Sequence, residues 1–212
     1  MKQKIKASGF LFLLAPIFFF IVETIVIQGW STGDYSRVYN FMSDLGVPIT
    51  TEFEGRMVSS PLHNVMNAGF IIYALLFLLA FSFSLHAFSR KQKKIGIGLV
   101  SVYSLGILLV AFFPGYDWWG QPFHMIGAAC ALFVGNLALL FYGYLFQSFL
   151  SKKWFFLVSV LAGVFGVIAS LILVLFAYDS QYSGLLERIG IYPTLIWSAL
   201  LGILLLNHQK QG

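Results

Sequence analysis

The sequence predicts an all-α polytopic membrane protein, a bundle of six transmembrane helices. Apolar residues make up 59% of the 212 residues and charged residues only 10%, and the mean hydropathy is +0.85. Soluble domains are far less apolar. Six apolar runs are long enough to cross a hydrocarbon core of about 30 Å, which takes about 20 helical residues. Lipid offers no water to an open backbone, so runs of this length form helices.

The six runs predict the helices of one integral membrane domain over residues 1–212. They are Phe10–Ile27, Leu62–Phe88, Ile95–Phe113, Phe123–Phe149, Trp154–Ala177 and Ile189–Leu206. The first run has no small-residue cleavage site behind it, so we expect a retained helix and not a signal peptide. Pro61 and Pro122 suit the first positions of helices two and four. Tryptophans near the run ends are typical of an interfacial belt; they are Trp30, Trp118, Trp119 and Trp154.

Basic residues predict the orientation. Ten of the 13 lysines and arginines fall in four clusters beside the apolar runs. They are Lys2, Lys4, Lys6, Arg90, Lys91, Lys93, Lys94, Lys152, Lys153 and Lys210. Cytoplasmic segments carry an excess of lysine and arginine, so both chain ends are expected in the cytoplasm. The net charge of +5 is therefore a topology signal, and no nucleic-acid partner is expected.

The long first outer segment, Gln28–Pro61, is predicted to carry part of a functional site. A long polar loop over a small bundle is usually a lid or half of a site. Its charged residues are Asp34, Arg37, Asp44, Glu52, Glu54 and Arg56. Helices two, four and six would begin on the same side. Their N-termini offer free backbone donors and partial positive charge, which suit a phosphate or a carboxylate.

His63 and His124 are the leading candidates for chemistry, each expected about one turn inside its helix. Histidine is costly in lipid and usually faces the bundle interior or water. A helix N-terminus favours the neutral ring, which can ligate a metal or accept a proton. A ring bonded only to water or backbone is the alternative. Asn64 and Asn67 are candidate substrate ligands; only Asn67 shares the helix face of His63, and a bond to a neighbouring helix is its alternative.

Asp44 is the candidate acid of the long loop. Its carboxylate could orient a histidine, ligate a metal or act as general acid or base. Alternatively, Ser43 or Asp44 caps a turn in which Gly46 adopts a positive φ.

Glu187 and Arg188, expected at the start of helix six, are the remaining candidates. Glu187 is a candidate catalytic group, although a carboxylate also simply suits a helix N-terminus. Arg188 does not suit that position, which predicts a carboxylate partner or an anionic head group. Glu23 is an acid inside helix one, and an intramembrane acid is a functional candidate for which Arg188 is the natural partner.

Several segments together resemble one family. They are Tyr39-Asn40-Phe41-Met42-Ser43-Asp44-Leu45-Gly46, Ser60-Pro61-Leu62-His63-Asn64, His124, and Glu187-Arg188 with Trp197. The chain is similar in these to the prokaryotic integral membrane family catalogued as domain of unknown function 998. The resemblance spans essentially the whole chain. It implies a six-helix fold, and we expect a multi-pass protein of the cytoplasmic membrane of a prokaryote.

The leading functional hypothesis is a membrane-embedded lipid hydrolase or transferase at the extracytoplasmic leaflet. Its substrate would be a lipid or a lipid-linked molecule. His63, His124 and Asp44 would form the centre, either around a divalent metal such as zinc that activates water, or without metal. Arg56, Arg188 and the three helix ends would hold an anionic head group. The sequence contains no HExxH, Walker, GxGxxG or GxSxG motif.

Two alternatives stay open. In the first, His63 and His124 are axial ligands of a haem in an electron-transfer protein. In the second, the protein binds, scaffolds or senses membrane lipid without chemistry. Gly163 and Gly166 would allow close helix contact within the chain or in a homo-oligomer. Cys130, the only cysteine, is expected to be core packing.

Overall fold

The computed structural model describes residues 2–31, 33–53, 55–117 and 119–208. It confirms the six-helix fold, because six helices in this part of the chain are long and apolar enough to cross a membrane. The elements are α1 Lys2–Gln28, β1 Thr51–Phe53, β2 Arg56–Val58, α2 His63–Ala87, α3 Arg90–Phe112, α4 Gln121–Leu150, α5 Lys153–Ala177 and α6 Ser183–His208. Glu54, Trp118 and Lys210, which entered the sequence-based expectations, lie outside the described residues.

Local capping explains where some helices begin. Ser89 forms a reciprocal capping box with Gln92, so α3 begins at Arg90, before its apolar run. The sixth helix begins at Ser183, which places Glu187 and Arg188 inside α6 rather than ahead of it.

The six helices form a closed ring in chain order. Each of them packs against its neighbours along the chain, and α6 returns to pack along α1. Consecutive helices run in opposite directions, so α2, α4 and α6 all begin at the end of the bundle that carries residues 29–62. We call this the loop end. The opposite end carries the lysines and arginines of residues 2–6, 90–94 and 152–153 and is the basic end.

The bundle interior is aromatic, and most of its polar groups are bonded to each other or to backbone. Trp197 is buried, and its indole N–H donates to the Ser159 hydroxyl at 2.7 Å. The hydroxyls of Tyr73 and Tyr103 lie 3.0 Å apart between α2 and α3. Each such bond removes a polar group from contact with hydrocarbon, which would otherwise cost several kcal/mol.

Residues 29–62, the loop segment, insert into the loop end instead of lying over it. A short 3₁₀ helix, Ser43–Gly46, buries Asp44 and Leu45. The Ser60 hydroxyl donates to the Leu45 carbonyl at 2.7 Å and tethers this turn to the start of α2. The strands β1 and β2 form an antiparallel hairpin in which Glu52 faces Met57.

The reason for a glycine at position 46 differs from the one that the sequence predicts. The positive-φ glycines among the described residues are Gly33, Gly55 and Gly115, so Gly46 does not adopt a positive φ. A Cβ at Gly46 would lie 2.4 Å from Oδ1 of Asn67. The glycine therefore leaves room for the Asn67 side chain, and a positive φ is not the reason for it.

Candidate functional site

The predicted pair of Arg188 and Glu23 is confirmed. The guanidinium of Arg188 on α6 lies 3.0 Å from Oε1 of Glu23 on α1, and both side chains are buried. The Tyr192 hydroxyl, one turn along α6, donates to the same carboxylate at 2.8 and 3.0 Å. A buried ion pair needs such further hydrogen bonds to offset its desolvation.

All five N–H groups of Arg188 have acceptors within the protein. Nε and one terminal nitrogen donate to Glu23, and that nitrogen also donates to the Tyr35 hydroxyl. The other nitrogen lies 2.9 to 3.1 Å from the carbonyl oxygens of Arg37, Asn40 and Gly184. Arg188 and Glu23 thus join α1, α6 and the loop segment, and Arg188 has no donor left for the anionic head group that the sequence predicts.

Tyr35 completes this cluster from the loop segment. Burial raises the pKa of the Tyr35 phenol well above its ordinary value, so the hydroxyl keeps its proton. It donates that proton to the Phe41 carbonyl at 2.8 Å while it accepts from Arg188. The cluster therefore fixes the stretch of loop that leads to Ser43.

Asp44 pairs with Arg56 inside the loop segment. Oδ2 of Asp44 lies 3.4 Å from Nε of Arg56 and accepts from the Phe41 amide at 2.9 Å. The Arg56 guanidinium also lies 4.3 Å from the centre of the Phe41 ring, a cation–π contact. Burial raises the pKa of Asp44 to about 6, against the opposing effects of Arg56 and the Phe41 amide. Arg56 is buried, so the structure places it in support of Asp44 and not at an exposed head-group position.

Glu187 reaches from α6 to the same turn of the loop. Its carboxylate accepts hydrogen bonds from the Met42 amide and from the Ser43 side chain. Sequence reasoning predicts a catalytic group or a helix-end charge here, and the structure shows a carboxylate that holds the 3₁₀ turn and borders a cavity.

His124 lies at the loop end with one ring nitrogen bonded to the backbone. Its Nδ1 lies 2.7 Å from the Phe113 carbonyl oxygen. A carbonyl can only accept, so Nδ1 carries the proton and the neutral ring has its lone pair on Nε2. The Phe113 carbonyl, not Asp44, orients this ring. His124 is the fourth residue of α4, as the sequence predicts.

Three cavities meet at Ser43. A small cavity of about 20 Å³ beneath the loop segment is bordered by Asp44 and His124. An apolar cavity of about 40 Å³ extends into the bundle and is bordered by Glu187. A third, of about 140 Å³, lies between α4 and α5 and is bordered by His124 and Glu187. We call Ser43, Asp44, His124 and Glu187 the Ser43 site.

Two π-helical segments border the third cavity. They are Cys130–Val134 in α4 and Leu173–Ala177 in α5. Leu132 and Leu173 line its inner part, and Val174 is exposed on the outer surface of the helices. Such π-helical insertions occur frequently at functional sites because they displace side chains from regular helical positions.

His63 lies apart from the Ser43 site. It is the first residue of α2, not one turn inside, and its Nδ1 lies 3.0 Å from the Ser60 carbonyl oxygen. It lines none of the cavities that meet at Ser43. The two histidines therefore border no common cavity at Ser43, and a haem between them stays a prediction.

The predicted metal centre is not assembled. Across residues 2–31, 33–53, 55–117 and 119–208, no three His, Cys, Asp or Glu side chains are grouped closely enough to hold a metal ion. His63, His124 and Asp44 therefore do not form a three-ligand set. The physical reason is that backbone carbonyls of Ser60 and Phe113 hold the two rings in separate places.

The candidate substrate ligands Asn64 and Asn67 do not border the cavities of the Ser43 site. Asn64 is exposed. Asn67 donates to the Gly46 carbonyl at 2.9 Å, so it binds the loop segment and not His63.

The backbone N–H of Leu185, near the start of α6, donates to the Val38 carbonyl at 2.9 Å, so the loop and not an anion covers that amide.

Sequence reasoning missed part of the site. The sequence suggests only a turn cap for Ser43, although Ser43 stands in the string that carries the family resemblance. Tyr192 was detectable because it lies four residues after Arg188, on the same helix face. Tyr35 and the two π-helical segments carry no signal in a single sequence that we can identify.

Fold and site together define a six-helix, multi-pass membrane protein with a buried polar site at one end. The family model described as protein of unknown function (DUF998) matches residues 13–204. The chain belongs to this family. Comparison with curated proteins found no match. Comparison with solved structures found none either.

Proposed function

We propose that the protein is a membrane-embedded hydrolase or transferase that acts on a lipid or lipid-linked substrate at the Ser43 site. One observation carries this proposal: Ser43, an imidazole with an available lone pair and two carboxyl groups border cavities that run from the loop segment into apolar surroundings. An amphipathic substrate has a reactive polar part and an apolar tail. The site offers a matching environment to each part.

The residues suggest distinct roles. His124 would accept a proton at Nε2 from water or from an acceptor hydroxyl, so that the oxygen attacks the substrate. Asp44, with a pKa of about 6, is protonated in part of the population near neutral pH and would donate a proton to the leaving oxygen. Ser43 would position the reacting group, with Glu187 fixing the hydroxyl. Attack by water gives hydrolysis, and attack by a second hydroxyl gives transfer.

The cavity between α4 and α5 gives a route for the tail. Its lining is apolar apart from Ser43, His124, Tyr178 and Glu187. Its exposed rim includes Val174 and Met125. A substrate in the bilayer could therefore reach the site sideways, without leaving lipid. Consistent with the expected orientation, we place the reaction at the extracytoplasmic leaflet.

His124→Ala tests the proposal directly. Wild-type and variant proteins would be reconstituted with total lipid extract of the expression host and followed by mass spectrometry. We expect wild type to consume one lipid class and form its cleaved or transferred product. Loss of a general base typically lowers the rate 10²- to 10⁴-fold, so turnover by His124→Ala should fall by at least about 100-fold.

His86→Ala is the matched control, because His86 is exposed near the basic end and its Nδ1 lies 2.7 Å from a carbonyl of its own helix. It should retain wild-type turnover. His63→Ala separates the one-histidine site from the two-histidine centre that the sequence predicts. Equal lipid profiles for wild type and a folded His124→Ala protein would contradict the proposal.

A further inference from the structure

A second apolar space lies outside the Ser43 site, on the lipid-facing side of α5 and α6. It is a groove of about 550 Å³. Val158 and Ala162 of α5 form one wall, and α6 residues from Leu185 to Leu200 form the other wall and floor. We call it the α5–α6 groove. Trp197, which is buried, closes it from the bundle interior.

The groove is long enough to hold a lipid tail. Leu185 and Leu200 are 15 residues apart on α6, which at a rise of about 1.5 Å per residue gives about 22 Å. One leaflet of a bilayer contributes about half of a hydrocarbon core of roughly 30 Å. An acyl chain of one leaflet can therefore lie in the groove over its full length.

Arg37 places a positive charge at the mouth of the groove. Three basic residues, Arg37, Arg56 and Arg188, lie at the loop end. Arg56 is buried against Asp44, and every N–H of Arg188 has an acceptor in the protein. Arg37 is exposed and lines the groove. No salt bridge to Arg37 occurs among the described residues.

The position of this arginine is fixed by the fold. The Arg37 carbonyl accepts from Arg188 at 3.1 Å, and the neighbouring Val38 carbonyl accepts from the Leu185 amide at 2.9 Å. The backbone at Arg37 is thus bonded to α6 at the upper end of the groove. A guanidinium there can form a charge-assisted, two-pronged bond with a phosphate oxygen pair.

We propose that the α5–α6 groove binds an anionic glycerophospholipid, with one acyl chain along α6 and the phosphate at Arg37. The lipid is a bound component distinct from the substrate of the Ser43 site, and its binding does not depend on turnover there. A basic residue near a membrane surface favours an anionic lipid by about 1 kcal/mol, which corresponds to about a fivefold preference.

Photo-crosslinking tests this binding at its own position. The protein would be embedded in phosphatidylcholine nanodiscs that contain a trace of diazirine-tailed phosphatidylglycerol or of the matching phosphatidylcholine probe. Labelled peptides would be mapped by mass spectrometry. We expect phosphatidylglycerol to label the peptides of Val158–Ala162 and Leu185–Leu200 about five times more than phosphatidylcholine. Exposed α1 residues Ile17, Ile21 and Ile25 contact bulk lipid and give the reference, where both probes should label equally.

Two variants with matched controls make the result decisive. Arg37→Gln should bring the labelling ratio on the groove peptides close to one, whereas Arg90→Gln, at an exposed arginine of the basic end, should leave it unchanged. Ala162→Phe fills the groove and should reduce its labelling by both probes, whereas Val164→Phe, on the exposed face of α5, should not. Equal groove labelling by both probes in wild type, a preference retained in Arg37→Gln, or undiminished labelling in Ala162→Phe would each overturn the proposal.

Discussion

Asp44 shows how a single buried carboxyl can make the stability of this protein depend on pH. The Phe41 amide and Arg56 favour its charged form, but burial outweighs them and raises its pKa from an ordinary 3.8 to about 6. The folded protein then binds more protons than the unfolded chain between about pH 4 and 6. Stability therefore falls as pH rises through this interval and levels off above it.

We expect Asp44→Asn to remove this dependence. One pKa unit corresponds to about 1.4 kcal/mol, so the rise to about 6 corresponds to about 3 kcal/mol in the wild type at pH 7. Unfolding of both proteins in detergent at pH 4, 5, 6 and 7 measures the difference between their free energies of unfolding. The contributions of the other titrating groups cancel in this difference. Wild type should lose stability relative to the variant as pH rises. The opposite trend would mean that the Arg56 charge outweighs desolvation.

At the scale of elements, the backbone of the loop segment packs directly against the backbone at the start of α6. The Asn40 carbonyl oxygen would lie 2.1 Å from a Cβ placed at Gly184. The Ser183 hydroxyl donates to the Tyr39 carbonyl at 2.9 Å beside it. A backbone atom cannot move aside as the end of a flexible side chain can, so this contact requires glycine.

Gly184→Ala is therefore expected to destabilise the protein by about 1–3 kcal/mol, the usual cost of overpacking. Gly98→Ala is the matched control, because Gly98 lies on an exposed face of α3 with nothing within 4 Å of its added Cβ. Higher helix propensity should make that variant more stable by up to about 1 kcal/mol. Thermal unfolding of the two variants in the same detergent compares them, and equal melting temperatures would contradict the fit described above.

On the scale of the whole molecule, the distribution of lysine and arginine predicts that the loop end faces away from the cytoplasm. Single cysteines in a Cys130→Ala background test this orientation. We expect a membrane-impermeant maleimide to label Asp34→Cys in intact cells, and Lys91→Cys only after the membrane is opened. Both positions are exposed, at the loop end and the basic end. The reverse pattern of labelling would invert the orientation and move the Ser43 site to the cytoplasmic leaflet.

Some features of the fold and the site were predictable because they depend on local sequence signals, whereas others depend on how distant segments pack together. The six spans and the Glu23–Arg188 pair were predictable because apolar length and an intramembrane charge are local signals with few solutions in lipid. The separation of His63 from His124 was not, because it depends on which helix lies between them. The burial of Arg56 depends equally on how the loop segment folds into the bundle, and no periodicity in the sequence records that.

Because the last helix packs against the first, the Glu23–Arg188 ion pair cannot form until α6 has been synthesised. Glu23 leaves the ribosome 165 residues before Arg188, so its carboxyl enters the bilayer long before its cation exists. The last helix, α6, supplies the positive charge of Arg188 and packs against α1. Until then, the nascent chain holds an unmatched acid in apolar surroundings, which a chain ending before Ser183 would keep.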